Sequence, residues 1–253
     1  MIEAVDAIRL EIEGALARLV LDRPRVLNAG NRRWVADLNE AVALIDAAPS
    51  VRVVVITGAG RAFCTGVDLT ELAAGEFGLP DFIAWEDAMI AIERMDRLVV
   101  AGINGHCLGG GLQLALVCDY RLASADALLG LPAVKECLIP SLALYRLPRL
   151  IGAARAKELI LLGESLDART AERYSLVNRV VPATEFPAAL DETVARFLAL
   201  PPASVRASKL LTGRAFDLDL DAFRQEMQAH FKVCLGSDEH RQAMDALRAR
   251  RRA

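Results

Sequence analysis

Two short stretches of this chain are almost wholly apolar and are followed at once by glycine. Val51-Arg52-Val53-Val54-Val55-Ile56-Thr57 runs into Gly58-Ala59-Gly60, and Leu98 to Ile103 runs into Asn104-Gly105 and a glycine cluster. A strand that is apolar at every second residue buries one face. A strand that is apolar throughout buries both, as parallel sheets covered by helices require. Around them the pattern alternates. Ile8-Arg9-Leu10-Glu11-Ile12 has the period of a half-buried strand, Glu13-Gly14 reads as a turn, and Ala15 to Leu21 as a second strand. Trp34, Leu38, Ala41 and Ile45 recur at helical spacing before Pro49, and Phe82, Trp85, Met89 and Ile92 mark another helix. Strand, strand, helix, strand, helix, strand, helix is the order of an α/β core.

Past about Ala153 the character changes. Ala154 to Leu162, Ala168 to Tyr174, Ala188 to Leu200, Ala203 to Leu211, Leu220 to Leu235 and Asp238 to Arg250 all read as helices. The expected layout is an α/β core over residues 1–195 and a helical region over 196–253. Arg248-Ala249-Arg250-Arg251-Arg252 reads as a solvated tail. A net charge of −3 lacks the basic excess of a nucleic-acid binder. The five cysteines sit in apolar stretches without CxxC spacing, which predicts reduced, buried thiols and a cytoplasmic location. The three histidines form no HxxxH or HExxH pair, so no metal site is expected. The segment from Met1 to Leu10 lacks the layout of a signal peptide, and no apolar run of about 18 residues predicts a membrane span.

The glycine loops carry the chemistry. One is Arg61-Ala62-Phe63-Cys64-Thr65-Gly66-Val67-Asp68-Leu69. The other is Asn104-Gly105-His106-Cys107-Leu108-Gly109-Gly110-Gly111, which opens an apolar helix interrupted by Gln113. The start of a helix leaves backbone N–H groups without intrahelical partners, and its dipole adds partial positive charge. Such a place stabilises a phosphate or an oxyanion. No GxxxxGK[ST] and no GxGxxG is present, which disfavours a nucleotide-dependent dehydrogenase. Gly109 to Gly111 would equally serve close helix–strand packing, and spacing alone leaves both readings open.

The motifs resemble the crotonase superfamily of enoyl-CoA hydratases and isomerases. The matching pieces are Leu21 to Ala29, Val53 to Gly58, Ala62 to Leu69, Ala101 to Gly111, Cys118-Asp119-Tyr120-Arg121, Gly130-Leu131-Pro132, Leu138-Ile139-Pro140 and Pro148 to Gly152. The resemblance implies a spiral of ββα units with a C-terminal helical region that assembles homotrimers or hexamers. It implies an acyl-CoA thioester as ligand in fatty-acid or acyl-CoA metabolism, with coenzyme A as part of the substrate and no other cofactor. Backbone N–H groups of Val67 and Gly110 would polarise the thioester carbonyl. Arg25, Val26 and Leu27 would line one side of the CoA moiety; Arg61, Asp68, Leu69 and Thr70 would line the other.

The match breaks at the acid/base residues. Hydration needs groups that activate water and protonate the α-carbon. The two glutamates that do this in the hydratases fall on Gln113 and Ala133, and the acid that some isomerases use falls on Ser141. Gln113 cannot titrate. It either holds a water or a substrate polar group or satisfies a loop N–H. Glu136, three residues beyond Ala133, shares its face if the stretch is helical; the plainer reading is a rim carboxylate. His106, Cys107 and Tyr145 read as packing residues, and Asp81, Glu86 and Asp87 as solvated. Two functions stay open: an enzyme that stabilises an acyl-CoA enolate with an unusual acid/base group, or a non-catalytic acyl-CoA binder or carrier.

Overall fold

The computed structural model describes residues 2–5 and 7–250. The first part of the chain runs β1 (Ile2–Val5), β2 (Ile8–Glu13), β3 (Leu16–Leu21), a 3-10 turn at Pro24–Val26, α1 (Arg32–Asp46), β4 (Val53–Gly58), β5 (Ala62–Cys64), α2 (Leu69–Ala73) and α3 (Leu79–Arg94). It continues through β6 (Leu98–Ile103), β7 (His106–Leu108), α4 (Gly110–Leu116), β8 (Tyr120–Ser124), β9 (Leu128–Gly130) and a 3-10 turn at Pro132–Glu136. The remainder is α5 (Ala143–Ile151), α6 (Ala153–Leu162), β10 (Ser165–Asp167), α7 (Ala168–Arg173), β11 (Arg179–Val181), α8 (Phe186–Leu198), α9 (Pro202–Gly213), α10 (Leu220–Gly236) and α11 (Asp238–Arg250).

A seven-stranded sheet has the order β1-β2-β3-β4-β6-β8-β11, antiparallel through β3 and parallel from β3 onward. A second, four-stranded sheet has the order β10-β9-β7-β5. The apolar run in β4 has the double burial inferred from sequence. Val54 and Ile56 enter the main core, which includes Trp34, Leu38, Trp85 and Ile92. Val53 and Val55 face a second core with Phe186, Leu190 and Val194 of α8. Asn31 caps α1 by accepting the Trp34 N–H at 2.9 Å. Trp34 then packs on Trp85 of α3 with ring centroids 4.7 Å apart, which ties α1 to α3.

The long elements fall close to their expected positions, whereas the second sheet was not legible. Its strands are three residues each, too short for a period-2 pattern to register. The expectation of five buried cysteines is also corrected. Cys64, Cys107 and Cys118 are buried, but Cys137 is exposed and Cys234 partly so. Cys137 terminates the 3-10 turn in a left-handed conformation (φ 54°), where the chain turns at the surface. The C-terminal helices behave unlike the rest. Neither α10 nor α11 buries a residue, and Phe216, Leu220, Phe231, Val233 and Leu235 are exposed. Arg248 and Arg250 lie in α11 and are exposed; Arg251 and Arg252 of the expected tail lie outside the described residues. Among the described residues no helix is long and apolar enough to cross a membrane.

Candidate active site

The small sheet aligns the two glycine loops. β5 and β7 run parallel, with Cys64 opposite Cys107, so the segments that follow them leave side by side. Their approach is close. A Cβ on Gly66, itself at φ +93°, would stand 3.0 Å from the Gly110 nitrogen, and one on Gly111 would overlap the Cys64 carbonyl. A Cβ on Gly110 would meet the Trp85 ring at 2.8 Å, as would one on Gly30. The indole therefore seats α3 against both loops through positions where only glycine leaves room.

Val67 and Gly110 are placed with their N–H groups unspent. Gly30 bridges to Val67 in parallel register, donating to the Gly66 carbonyl at 2.7 Å and accepting the Asp68 N–H at 2.9 Å. Both bonds go to the neighbours of Val67, so its own N–H has no protein acceptor among the described residues. Gly110 opens α4, where no carbonyl lies one turn earlier in the helix, and its N–H also has no protein acceptor among the described residues. Both residues line one cavity of about 110 Å³ with Leu69, Phe82, Trp85, Met89 and Leu138.

The same cavity holds the polar residues on which the sequence reading divided. Ala133 and Glu136 sit on the 3-10 turn, whose three-residue period stacks them on one face, and both line the cavity. Glu136 is exposed at the mouth. Ser141 lines the wall as well. Gln113 is buried, yet its Oε1 has no hydrogen-bond partner, so the expectation that it could satisfy a loop N–H is not met. A buried carbonyl oxygen without a donor carries a substantial desolvation cost unless a ligand or water supplies one.

Two other sequence readings change. Glu86 is not a solvated residue of α3; it is half-buried and lines the cavity, and its Oε1 accepts the Leu142 N–H at 3.1 Å. The available signal was helical phase, because Glu86 lies four residues after Phe82 and three before Met89, both cavity-lining. Asp81 caps α3 by accepting the Gly78 N–H at 2.8 Å and pairs with Arg32. Tyr145, expected to pack, is exposed on α5 outside the cavity lining, and its hydroxyl donates to Asp217 at 2.7 Å. His106 and Cys107 are in β7, and burial pushes the Cys107 thiol well up.

Of the residues expected to line the CoA moiety, Leu69 alone lines this cavity, and the turn carrying Arg25 and Val26 is pinned by a buried amide. Asn28 accepts the Arg23 N–H and donates to the carbonyls of Ala59, Ala62 and Phe63, which fastens the 3-10 turn carrying Arg25 and Val26 to β5. Arg25, Val26, Arg61, Leu69 and Thr70 are exposed, and Leu27 is partly so. Neither Arg25 nor Arg61 has a carboxylate partner among the described residues. Asp68 is differently occupied: one oxygen meets Arg23 at 3.3 Å and the other accepts the Thr70 N–H at the start of α2. Sequence reading had not singled out Arg23, which also donates to the Ala29 carbonyl.

Comparison with known proteins agrees with this architecture. The family model for enoyl-CoA hydratase/isomerase matches residues 11–253. The chain is 32% identical to a crotonyl-CoA hydratase of Syntrophomonas wolfei over 99% of this chain and 98% of that protein. It is 31% identical to a short-chain-enoyl-CoA hydratase of Clostridium acetobutylicum over 96% of this chain and 95% of that one. A crystal structure of an enoyl-CoA hydratase from Bacillus anthracis superposes with a TM-score of 0.91 at 30% identity, covering 97% of both chains. With the spiral fold, the paired glycine loops and a full-length family match, the chain belongs to the enoyl-CoA hydratase/isomerase family of the crotonase superfamily.

Proposed function

We propose that this protein binds an acyl-CoA thioester and stabilises its enolate in the cavity between the two glycine loops. The observation that carries this is the pair of unspent N–H groups of Val67 and Gly110 in one largely apolar cavity. The thioester oxygen gains negative charge as the enolate forms. Two fixed donors in a largely apolar site favour that charge, and losing one such donor typically costs about 3 kcal/mol. Leu69, Phe82, Met89 and Leu138 offer apolar contact to the acyl chain. Arg25 and Arg61, unpaired on the rim, suit the CoA phosphates, with Val26, Leu27 and Thr70 completing that surface and Asp68 holding it in shape through Arg23. Glu136 presents a carboxylate at the mouth, above Ala133.

The relatives named above are hydratases, which supports a role in acyl-CoA metabolism. Gln113 and Ala133 favour a second reading, a cytoplasmic acyl-CoA binder that does no proton chemistry. Calorimetry with acyl-CoA of several chain lengths tests what both readings share: saturable binding is expected, and none to any acyl-CoA overturns them together. We also propose a trimeric or hexameric assembly, supported by exposed Phe216 (73%), Leu220 (79%) and Val233 (64%), which leave the C-terminal helices without cover. Light scattering at micromolar concentration is expected to give at least a trimer mass; a monomer mass overturns the assembly.

A further inference from the structure

Seventeen residues line the cavity, and Glu86 and Glu136 are the only ionisable side chains among them. Neither forms an ion pair with any described residue. A glutamate kept for stability is normally paired with a cation or turned to solvent. Glu86 does neither. One oxygen is anchored to the Leu142 N–H at 3.1 Å, which fixes the carboxylate, while the other has no protein partner among the described residues. Glu86 follows Trp85 in sequence, and Trp85 rests on Gly110, so the helix that carries this carboxylate is seated on the glycine loop itself. Gln113 lines the same cavity, but its Oε1 is shut off from it. A fixed carboxylate with one oxygen free calls for a ligand that donates to it. Water is such a ligand.

We propose that Glu86 is the acid/base residue of this cavity and that it holds the water added across the C2=C3 bond of an enoyl-CoA. This rests on the acyl-CoA reading above. One O–H of the water donates to the free oxygen of Glu86. Glu86 takes the first proton as the water oxygen bonds to C3. The C2=C3 electron pair moves to form the enolate, whose charge falls on the thioester oxygen at the Val67 and Gly110 N–H groups. The enolate then collapses, C2 takes the proton from the carboxylic acid of Glu86, and Glu86 is again a carboxylate. The sum is enoyl-CoA plus water giving 3-hydroxyacyl-CoA, with nothing left over. Glu136, exposed at the mouth, is not required for either proton transfer.

The test compares wild type, Glu86→Gln and Glu136→Gln in hydration of crotonyl-CoA, with calorimetric titration of butyryl-CoA alongside. Glu86→Gln keeps an oxygen that can accept from Leu142, so folding and binding are expected to survive, with Kd for butyryl-CoA within about threefold of wild type. Its kcat is expected to fall about 10²- to 10⁴-fold, the usual loss for one general acid/base. A Glu136→Gln enzyme whose kcat falls as far as that of Glu86→Gln overturns the assignment of both proton transfers to Glu86. If Glu86→Gln loses its melting transition, Glu86→Asp decides: a folded enzyme of reduced kcat supports the proposal, and one of full kcat overturns it. A Glu86→Gln enzyme that hydrates at the wild-type rate overturns it. So does a wild type that binds butyryl-CoA but neither hydrates crotonyl-CoA nor exchanges its C2 protons with deuterium oxide. A wild type that binds no acyl-CoA removes the reading beneath it instead.

Discussion

One wall of the cavity is built from backbone and the facing wall from side chains, and the two are constrained in different ways. The backbone wall consists of Gly66, Val67, Gly109 and Gly110, backed by Gly111; the loops meet so closely that a methyl group at Gly110 or Gly111 has no room and one at Gly66 would stand 3.0 Å from the Gly110 nitrogen. The facing wall consists of Glu86, Gln113, Ala133, Glu136 and Ser141, which sit on helices or turns whose formation does not depend on those side chains. The first wall cannot change without separating the two loops. The second can exchange an acid for an amide or a methyl and leave the fold intact. In the proposed function, charge stabilisation falls to the close-packed glycine loops and proton transfer to a side chain outside them.

The most damaging change to this contrast is Gly111→Val. Its side chain overlaps the Cys64 carbonyl, and neither β5 nor the start of α4 can give way without moving the other. A loss of more than about 3 kcal/mol is expected, together with loss of butyryl-CoA binding, measured by urea unfolding and calorimetry. Wild-type stability would imply that the loops can part.

An intermediate effect comes from two buried thiols, Cys64 in β5 and Cys118 just after α4. Burial pushes the Cys64 thiol up from 9.0 to about 12, and the Cys118 thiol likewise to about 12. Each folded-state value lies above the unfolded one. The contribution of these thiols is therefore fully present below about pH 9 and is lost as pH rises toward 12. The slope is about 1.4 kcal/mol per pH unit for each thiol across that window. Urea midpoints between pH 8 and 11 should fall accordingly. At pH 8 a thiol reagent should label exposed Cys137 first and leave Cys64, Cys107 and Cys118 untouched until the chain unfolds. Rapid labelling of Cys64 in the folded protein would mean that the sheet under the loops is open.

The smallest effect sharpens the comparison most. Val67 is proposed to act through its N–H, so Val67→Ala should bind butyryl-CoA and hydrate crotonyl-CoA within about threefold of wild type, at a cost of about 1 kcal/mol or less. A loss as large as that expected for Glu86→Gln would show that the Val67 side chain, and not only its backbone, serves the site.

Much of this protein is written in local pattern. The double burial of β4 follows from a run of Val and Ile, the position of α1 from Trp34, Leu38, Ala41 and Ile45, and the start of α4 from three consecutive glycines. Each of these signals spans only a few neighbouring residues, and hydrophobic period and glycine content report on that scale. The small sheet was hidden because its three-residue strands are defined by partners far along the chain, Cys64 by Cys107 and Leu129 by Leu166. The exposure of Cys137, the occupied carboxylate of Asp68 and the unpartnered oxygen of Gln113 are likewise facts about what lies opposite in space. Glu86 shows the division most clearly. Its helix is legible from Phe82, Trp85, Met89 and Ile92. That its carboxylate meets the Leu142 N–H and lines one cavity with Gln113 and Ala133 was decided by the packing of Trp85 on Gly30 and Gly110. Sequence determined which elements form and which of their faces are apolar, because those depend on neighbours along the chain. Tertiary structure decided which polar groups share a cavity, because that depends on how distant elements close on one another.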